Sequence, residues 1–238
     1  GRTIPKNEHL FHAESVIPDV LQKMADDRNT KSHFIESHLV SQDEMKGFSY
    51  IEHRDNVALA LAVCEHLDVD RKTALKGMYE AIPDAGALRC YTVDAFGKEL
   101  FFYNAFAAND PDSTYMVWLK VKEEIGVEGT RIILLNTRQD RLDRARQLAD
   151  LAGRKFSDDI DYLFLIGQST EVVEAMATGY GFPKNKIVNL GWTTPAKVFE
   201  KVLGVTSHKS TIMAVGNMGG MGAETAEYFE HRSIIKND

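Results

Sequence analysis

Cysteine is scarce in this sequence, whose 238 residues include only Cys64 and Cys90. The two have no CxxC spacing, so we predict no disulfide framework and a reducing, cytoplasmic setting.

Positively charged residues are fewer than acidic ones: 28 lysines and arginines against 35 aspartates and glutamates give a net charge of −7. This balance argues against nucleic-acid binding, which relies on basic patches. No run of about 18 apolar residues and no leader pattern occurs, so we expect neither a membrane span nor an export signal.

Several patterns that carry chemistry are absent as well. The ATP-phosphate loop GxxxxGK[ST] does not occur, since Gly97-Lys98 is followed by Glu99. No GxSxG elbow accompanies a histidine and an acid, and the eight histidines lack the spacing of a metal site. We therefore expect no metal ligand in this chain and identify no catalytic residue. We also expect that the chain does not hydrolyse ATP unaided.

The hydrophobic pattern changes near residue 89, where we predict a domain boundary. Before it, a strand around residues 8–14 is followed by predicted helices at 16–27, 56–66 and 71–82. After it, a β-hairpin around Gly97 opens a regular alternation of short apolar strands with amphipathic helices. The predicted strand and helix pairs are 131–137 with 142–152, 162–167 with 171–178, 186–191 with 196–203, and 211–216 with 223–231.

This alternation is typical of an α/β fold. Short buried strands between helices form a parallel sheet that is covered on both faces, and its crossovers are right-handed. We therefore predict a Rossmann-like C-terminal domain at residues 89–238 and a separate, smaller domain at residues 1–88.

An arginine cluster follows one predicted strand, at the edge where open α/β sheets bind their ligands. Arg138 and Arg141 lie nearest the end of strand 131–137, and we predict that they grip a carboxylate. For Arg144 and Arg146 we favour a solvated helix surface with salt bridges, because Asp140 and Asp143 are interleaved with them.

A glycine-rich loop, GNMGGMG at residues 216–222, lies between a predicted strand and a predicted helix. Free backbone amides and the helix dipole at such a position can hold a phosphate or a carboxylate. The predicted substrate-binding residues here are Gly216, Asn217, Gly219, Gly220 and Gly222. A tight turn that needs the conformational freedom of glycine is the equal alternative.

Three motifs occur in the order and spacing of landmarks in the Mur ligase superfamily, which this sequence resembles. They are DNVALALA at residues 55–62, PDAGALR at 83–89 and AANDPDS at 107–113. The resemblance implies that Asn56 faces the adenine of ATP and that Arg89 reaches its phosphates. It also implies that Asn109 and Asp110, in a polar turn before a helix capped by Ser113, face the ribose. A polar hinge between domains is the alternative for all three motifs.

The segments at residues 104–111, 135–141 and 216–222 resemble the poly-gamma-glutamate synthase (CapB/PgsB) branch of that superfamily. The resemblance implies an ATP-dependent ligase that uses Mg²⁺ and phosphorylates a terminal carboxylate. The amine of glutamate would then attack the acyl phosphate. On this reading Arg138, Arg141 and the glycine-rich loop hold glutamate or the end of the poly-gamma-glutamate chain.

The resemblance also implies what accompanies this chain. Residues 1–88 would be the remnant of an ATP-binding central domain whose ATP and magnesium segments lie upstream of Gly1. Membrane partner subunits and an N-terminal apolar segment would hold the enzyme at the cytoplasmic face of the membrane. Two other functions stay open. One is a non-catalytic nucleotide- or partner-binding module of a split enzyme, and the other is a nicotinamide-dependent oxidoreductase, which the absence of GxGxxG disfavours.

Overall fold

The computed structural model describes residues 4–13, 17–48, 50, 52–81, 88–125 and 129–234. The chain divides into two compact units, Gly1–Pro83 and Asp84–Asp238. Most of the second Mur-like motif, residues 83–87, lies outside the described residues, as do the first residue of the helix predicted at 16–27 and the last of the helix predicted at 71–82. Within the described ranges, no helix combines the length and the apolar character needed to cross a membrane.

The first unit is built on two parallel strands, β1 (His9–Ala13) and β2 (Lys31–Ile35). Its helices are α1 (Pro18–Asp26), α2 (Gln42–Met45), α3 (Arg54–His66) and α4 (Arg71–Glu80). Its core is formed by Val40, Val57, Ala58, Leu61, Ala74 and Leu75.

Short-range contacts explain where two of these helices begin. Ser41 and Glu44 form a capping box at the start of α2. The Asp70 carboxylate accepts a hydrogen bond from the Thr73 amide at 3.1 Å at the start of α4. A hydrogen bond from Arg71 lowers the pKa of Glu44 to about 2. The capping carboxylate of Glu44 is therefore ionised at neutral pH.

The second unit contains a six-stranded sheet with the order β3-β4-β8-β5-β6-β7. Its strands are β3 (Arg89–Ala95), β4 (Lys98–Asn104), β5 (Thr130–Thr137), β6 (Tyr162–Gly167), β7 (Ile187–Gly191) and β8 (Lys209–Gly216). The predicted hairpin joins β3 to β4 through Phe96 and Gly97, whose φ angles of 51° and 74° suit a tight turn. Every other neighbouring pair is parallel. The predicted α/β fold with a mostly parallel sheet is confirmed.

Helices cover both faces of this sheet. They are α5 (Pro111–Ile125), α6 (Leu142–Leu151), α7 (Thr170–Gly179), α8 (Pro195–Val205) and α9 (Met221–Glu230). Ile132 of β5 belongs to a core cluster with Val202 of α8 and Phe229 of α9. Its neighbour Ile133 is 2% exposed. Because successive side chains of a strand point to opposite faces, the second face is covered as well.

The helix predicted to end at Ala152 continues through a π-helical turn, Ala152–Phe156. Gly153 in this turn lies against the chain that follows α7. A Cβ at Gly153 would lie 2.5 Å from the Tyr180 carbonyl oxygen. The absence of a side chain at this position therefore allows the wide turn to pack directly on that backbone.

Candidate functional site

The predicted ligand-binding edge of the second unit is formed by the carboxyl ends of β4, β5 and β8. Gly216 ends β8 at a φ of +104°, and its amide donates to the Ala108 carbonyl at 3.1 Å. A Cβ at Gly216 would lie 2.5 Å from the Asn136 carbonyl oxygen, so a larger residue would not fit. The turn before α5, the glycine-rich loop and the segment after β5 therefore lie side by side.

Asn136, in the carboxyl end of β5, holds the glycine-rich loop in place. Its side-chain amide donates to the carbonyl oxygens of Asn217 at 2.6 Å and Gly219 at 2.9 Å. The Asn217 side chain donates in turn to the Asn136 carbonyl at 3.3 Å. In a trans peptide the N–H points opposite to the carbonyl. The amides of Met218 and Gly220 therefore point away from Asn136.

Arg138 lies against the same loop. A Cβ at Gly219 would lie 2.7 Å from Arg138 Nη1, so the guanidinium packs directly on the backbone of the loop. Arg138 also donates two hydrogen bonds to Asp140, at 2.9 and 2.8 Å. Arg141 Nε lies 3.9 Å from the same carboxylate. Two guanidinium groups and one carboxylate leave a net positive charge beside the loop. The side chains of Arg138 and Arg141 are 39% and 47% exposed, so a ligand can reach them.

Trp192 stands beside Gly220 at the other side of the loop. It directly follows β7 and is 64% exposed. A Cβ at Gly220 would lie 3.7 Å from the indole ring. An exposed indole next to backbone amides offers an apolar surface to the methylene groups of a ligand.

Neither Asn136 nor Trp192 is among the residues predicted from the sequence to bind a ligand. Each carries a local signal, because Asn136 is a polar residue near the end of an apolar strand and Trp192 follows the glycine that ends another strand. The signal does not identify the partner. Asn136 bonds to residues 81 and 83 positions later in the chain, and the contact therefore depends on the strand order.

Two residues predicted to bind the nucleotide have partners within their own units. Asn56 lies in α3 of the first unit, and its side-chain amide donates to Glu52 at 2.9 Å. Arg89 begins β3 in the second unit, with Nη1 3.8 Å from Glu230 Oε1. Their roles toward a nucleotide stay predictions.

Asp110 caps α5, whereas the sequence predicted Ser113 as the cap. The Asp110 carboxylate accepts hydrogen bonds from the Ser113 hydroxyl and, at 3.0 Å, from the Ser113 amide. Hydrogen bonds from the side chain and then the backbone of Ser113 lower the pKa of Asp110. The predicted cap was wrong because a capping side chain stands before the first turn, whose free amides it accepts. Asn109 precedes Asp110 in the same turn and is partly buried.

The described residues include neither a metal site built from side chains alone nor the loop that holds ATP phosphates. In the part of the chain that the structure describes, no group of three or more histidine, cysteine, aspartate or glutamate side chains could hold a metal ion. The sequence has no GxxxxGK[ST] loop, and Asp110 is engaged by Ser113. The carboxyl edge suits a carboxylate instead, because it combines guanidinium groups with backbone amides.

Comparison with known proteins gives consistent matches. Residues 90–232 match the family model of the poly-gamma-glutamate synthase CapB C-terminal domain. PGA synthase CapB of Bacillus subtilis (strain 168) is 35% identical over 224 residues, which cover 92% of this chain and 55% of that protein. Capsule biosynthesis protein CapB of Bacillus anthracis is 34% identical over 241 residues, which cover 98% of this chain and 50% of that protein. The chain thus spans about half the length of these relatives.

Solved structures with a similar fold include those of a Mur ligase and of a folylpolyglutamate synthase. MurF from Acinetobacter baumannii superposes with a TM-score of 0.63 at 12% identity, over 93% of this chain and 51% of that one. The bifunctional folylpolyglutamate synthase/dihydrofolate synthase from Yersinia pestis, complexed with AMPPNP and Mn ion, superposes with a TM-score of 0.62 at 12% identity. That match covers 94% of this chain and 54% of the synthase. At such identities the likeness shows a shared fold.

Proposed function

The chain belongs to the poly-gamma-glutamate synthase CapB family, and on that premise we propose that it acts in an ATP-dependent ligase that forms gamma-glutamyl amide bonds. Its substrates would be glutamate and a growing poly-gamma-glutamate chain. The amine of glutamate would attack a terminal carboxylate that is activated as an acyl phosphate. The amine loses a proton, the amide bond forms and phosphate departs. We assign to the described residues only the binding of carboxylates in this reaction.

The observation that carries this proposal is the packing of Arg138 against the backbone of Gly219. A carboxylate above the loop would accept charge-assisted hydrogen bonds from Arg138 and from outward-facing amides such as that of Gly220. The methylene groups of glutamate would lie along Trp192. Electrostatic stabilisation of the developing oxyanion would be the main catalytic contribution of such donors.

The remaining expectations belong to the same proposal. Residues 1–88 would be part of an ATP-binding central domain, and residues 89–238 the Rossmann-like C-terminal domain. ATP and Mg²⁺ would be the cofactors, with Asn56, Arg89, Asn109 and Asp110 on the nucleotide side. The chain would need an upstream P-loop segment for activity, and membrane partners would place it at the cytoplasmic face of the membrane. What supports an upstream segment is that residues 90–232 match the model of a C-terminal domain and that the chain spans about half the length of the curated relatives.

The test is the release of phosphate from ATP that depends on glutamate. The chain alone should be inactive, and the chain joined to its predicted upstream segment should be active. In the longer form, Arg138→Gln should raise the KM for glutamate about tenfold or more, because a charge-assisted hydrogen bond contributes about 1.5–3 kcal/mol. Lys201→Gln, an exposed charge in α8, is the matched control and should behave as wild type. An Arg138→Gln variant with an unchanged KM would refute the proposed carboxylate site.

A second candidate is a non-catalytic nucleotide- or partner-binding module of a split enzyme. The absence of GxxxxGK[ST] from this sequence favours it. The two candidates differ in the longer form. If that form releases no phosphate in response to glutamate, even with its membrane partners present, the ligase proposal fails and the binding module takes its place.

A further inference from the structure

A groove of about 720 Å³ lies on the helical layer of the second unit, and none of its lining residues is among the site residues assigned above. Pro111 of α5 and Asp143 of α6 line one part of it. Arg154 and Lys155 of the π-helical turn line another part. The helix between Asp143 and Lys155 covers about 18 Å at 1.5 Å per residue. The groove is therefore long enough for an extended ligand.

Three cations and two carboxylates line the groove. Arg146 Nε donates to the Tyr180 hydroxyl at 3.1 Å, and the Lys155 ammonium lies 5.7 Å from the centre of the Tyr115 ring. Within the described residues, neither of these two cations forms a salt bridge. The third, Arg154, is paired with Asp150 at 2.6 Å. Arg146 and Lys155 are therefore available to an anionic ligand, in a chain whose net charge is −7.

The shape of the groove depends on the π-helical turn. Gly153 lets this turn approach Tyr180, because a Cβ there would lie 2.5 Å from the Tyr180 carbonyl oxygen. The Tyr180 ring then lies 6.0 Å from the Arg154 guanidinium, while its hydroxyl accepts from Arg146. π-Helical turns inside α-helices occur frequently at functional sites. A tight backbone contact thus fixes a tyrosine among the cations.

The groove begins next to the candidate carboxylate site. Pro111 directly follows Asp110, and Asp143 stands two residues after Arg141. Pro111 at the start of α5 and Asp143 near the start of α6 line the same groove, so these two helix starts are close. A chain whose end reacts at the carboxyl edge must continue over the neighbouring surface. The groove offers such a surface close to that edge.

We propose that this groove binds the growing polymer, a chain of γ-linked glutamates, behind its reacting end; this inference rests on the proposed function. Such a chain carries one free carboxylate per residue, which matches Arg146 and Lys155, and regularly spaced amide N–H groups. Asp143 and Gln147 supply oxygen acceptors for those N–H groups. Cations together with oxygen acceptors match a polyamide that carries carboxylates better than they match an anion without N–H donors.

The experiment measures binding of poly-gamma-glutamate of defined length to the full 238-residue chain, at low and moderate salt. Arg146→Gln and Lys155→Gln should each weaken binding at least about fivefold. Lys201→Gln removes one exposed charge of α8 that does not line the groove, and it should change binding less than about twofold. All substituted side chains are exposed, so unchanged tryptophan fluorescence would verify the fold of each variant.

Three results would overturn the inference. They are the absence of polymer binding, an equal loss with Lys201→Gln, and binding of inorganic polyphosphate as tight as that of the polymer. Failure of the proposed function is a separate result, because it appears as missing glutamate-dependent phosphate release by the longer form. Polymer binding that depends on Arg146 and Lys155 would support the groove whichever way that assay turns out.

Discussion

Replacing Asn136 with alanine should lower the free energy of unfolding of the second unit by about 2–3 kcal/mol. Asn136 is 1% exposed, and its side chain donates to two carbonyls of the glycine-rich loop, at 2.6 and 2.9 Å. Each such hydrogen bond contributes about 1 kcal/mol net, and a part-buried carbonyl left without its donor adds to the loss. The packing of the missing side-chain atoms contributes a further, smaller amount.

Tryptophan fluorescence reports on the second unit alone. The sequence contains two tryptophans, Trp118 and Trp192, and both lie in that unit. Trp118 is fully buried and donates to Asp159 at 2.7 Å, so its emission should change on unfolding. Urea unfolding curves with linear extrapolation would give the difference in free energy, and we expect an unchanged m-value because the unfolded surface is the same.

Asn185→Ala is the matched control, because Asn185 is exposed in the turn before β7. Its free energy of unfolding should stay within about 0.5 kcal/mol of wild type. In the longer, active form, Asn136→Ala should also raise the KM for glutamate, since the loop amides lose their fixed position. If Asn136→Ala unfolds within about 0.5 kcal/mol of wild type, Asn136 does not hold the loop and the reasoning is refuted.

Two further predictions concern packing and pH. Gly153→Ala should destabilise the second unit by about 1–3 kcal/mol in the same urea assay, because the new Cβ would lie 2.5 Å from the Tyr180 carbonyl oxygen. Gly204→Ala in α8 is the control: a Cβ there would meet nothing within 4 Å, and the change should stabilise the unit by up to about 1 kcal/mol. Equal effects of the two substitutions would contradict the close contact at Gly153. The hydrogen bond from Arg71 lowers the pKa of Glu44 from 4.5 to about 2 in the folded chain. The ionised Glu44 carboxylate therefore stabilises the first unit above pH 4.5, and this stabilisation is lost as the pH falls toward 2. Glu44→Gln should therefore reduce the acid sensitivity of the first unit, measured by far-UV circular dichroism between pH 6 and about pH 3, and an unchanged acid transition would count against the Arg71 contact.

The α/β fold of the second unit could be predicted because its signal is local. Each apolar strand from β5 to β8 and the amphipathic helix after it show their periodicity within about ten residues. The position of the arginines and the glycine-rich loop was predictable for a related reason. Both directly follow strands, and parallel strands present their carboxyl ends at one edge of the sheet.

Other features could not be predicted because they depend on contacts between distant parts of the chain. The π-helical turn forms where Gly153 meets the backbone of Tyr180. Trp192, which follows β7, lies against Gly220, which follows β8, although β5 and β6 stand between these two strands in the sheet. The sequence predicted Ser113 as the cap of α5, whereas Asp110 caps this helix. Both residue types cap helices, and only the backbone path decides which one stands before the first turn.

The sequence by itself determined the elements of the second unit, the direction of its strands and the chemistry available at their ends. Tertiary structure alone decided that β8 lies between β4 and β5, and therefore that the glycine-rich loop meets Asn136 and Arg138. The physical reason is that periodicity and capping act over a few neighbouring residues. Strand order and the partners of polar side chains are instead set by the packing of the whole core, which joins residues more than 80 positions apart.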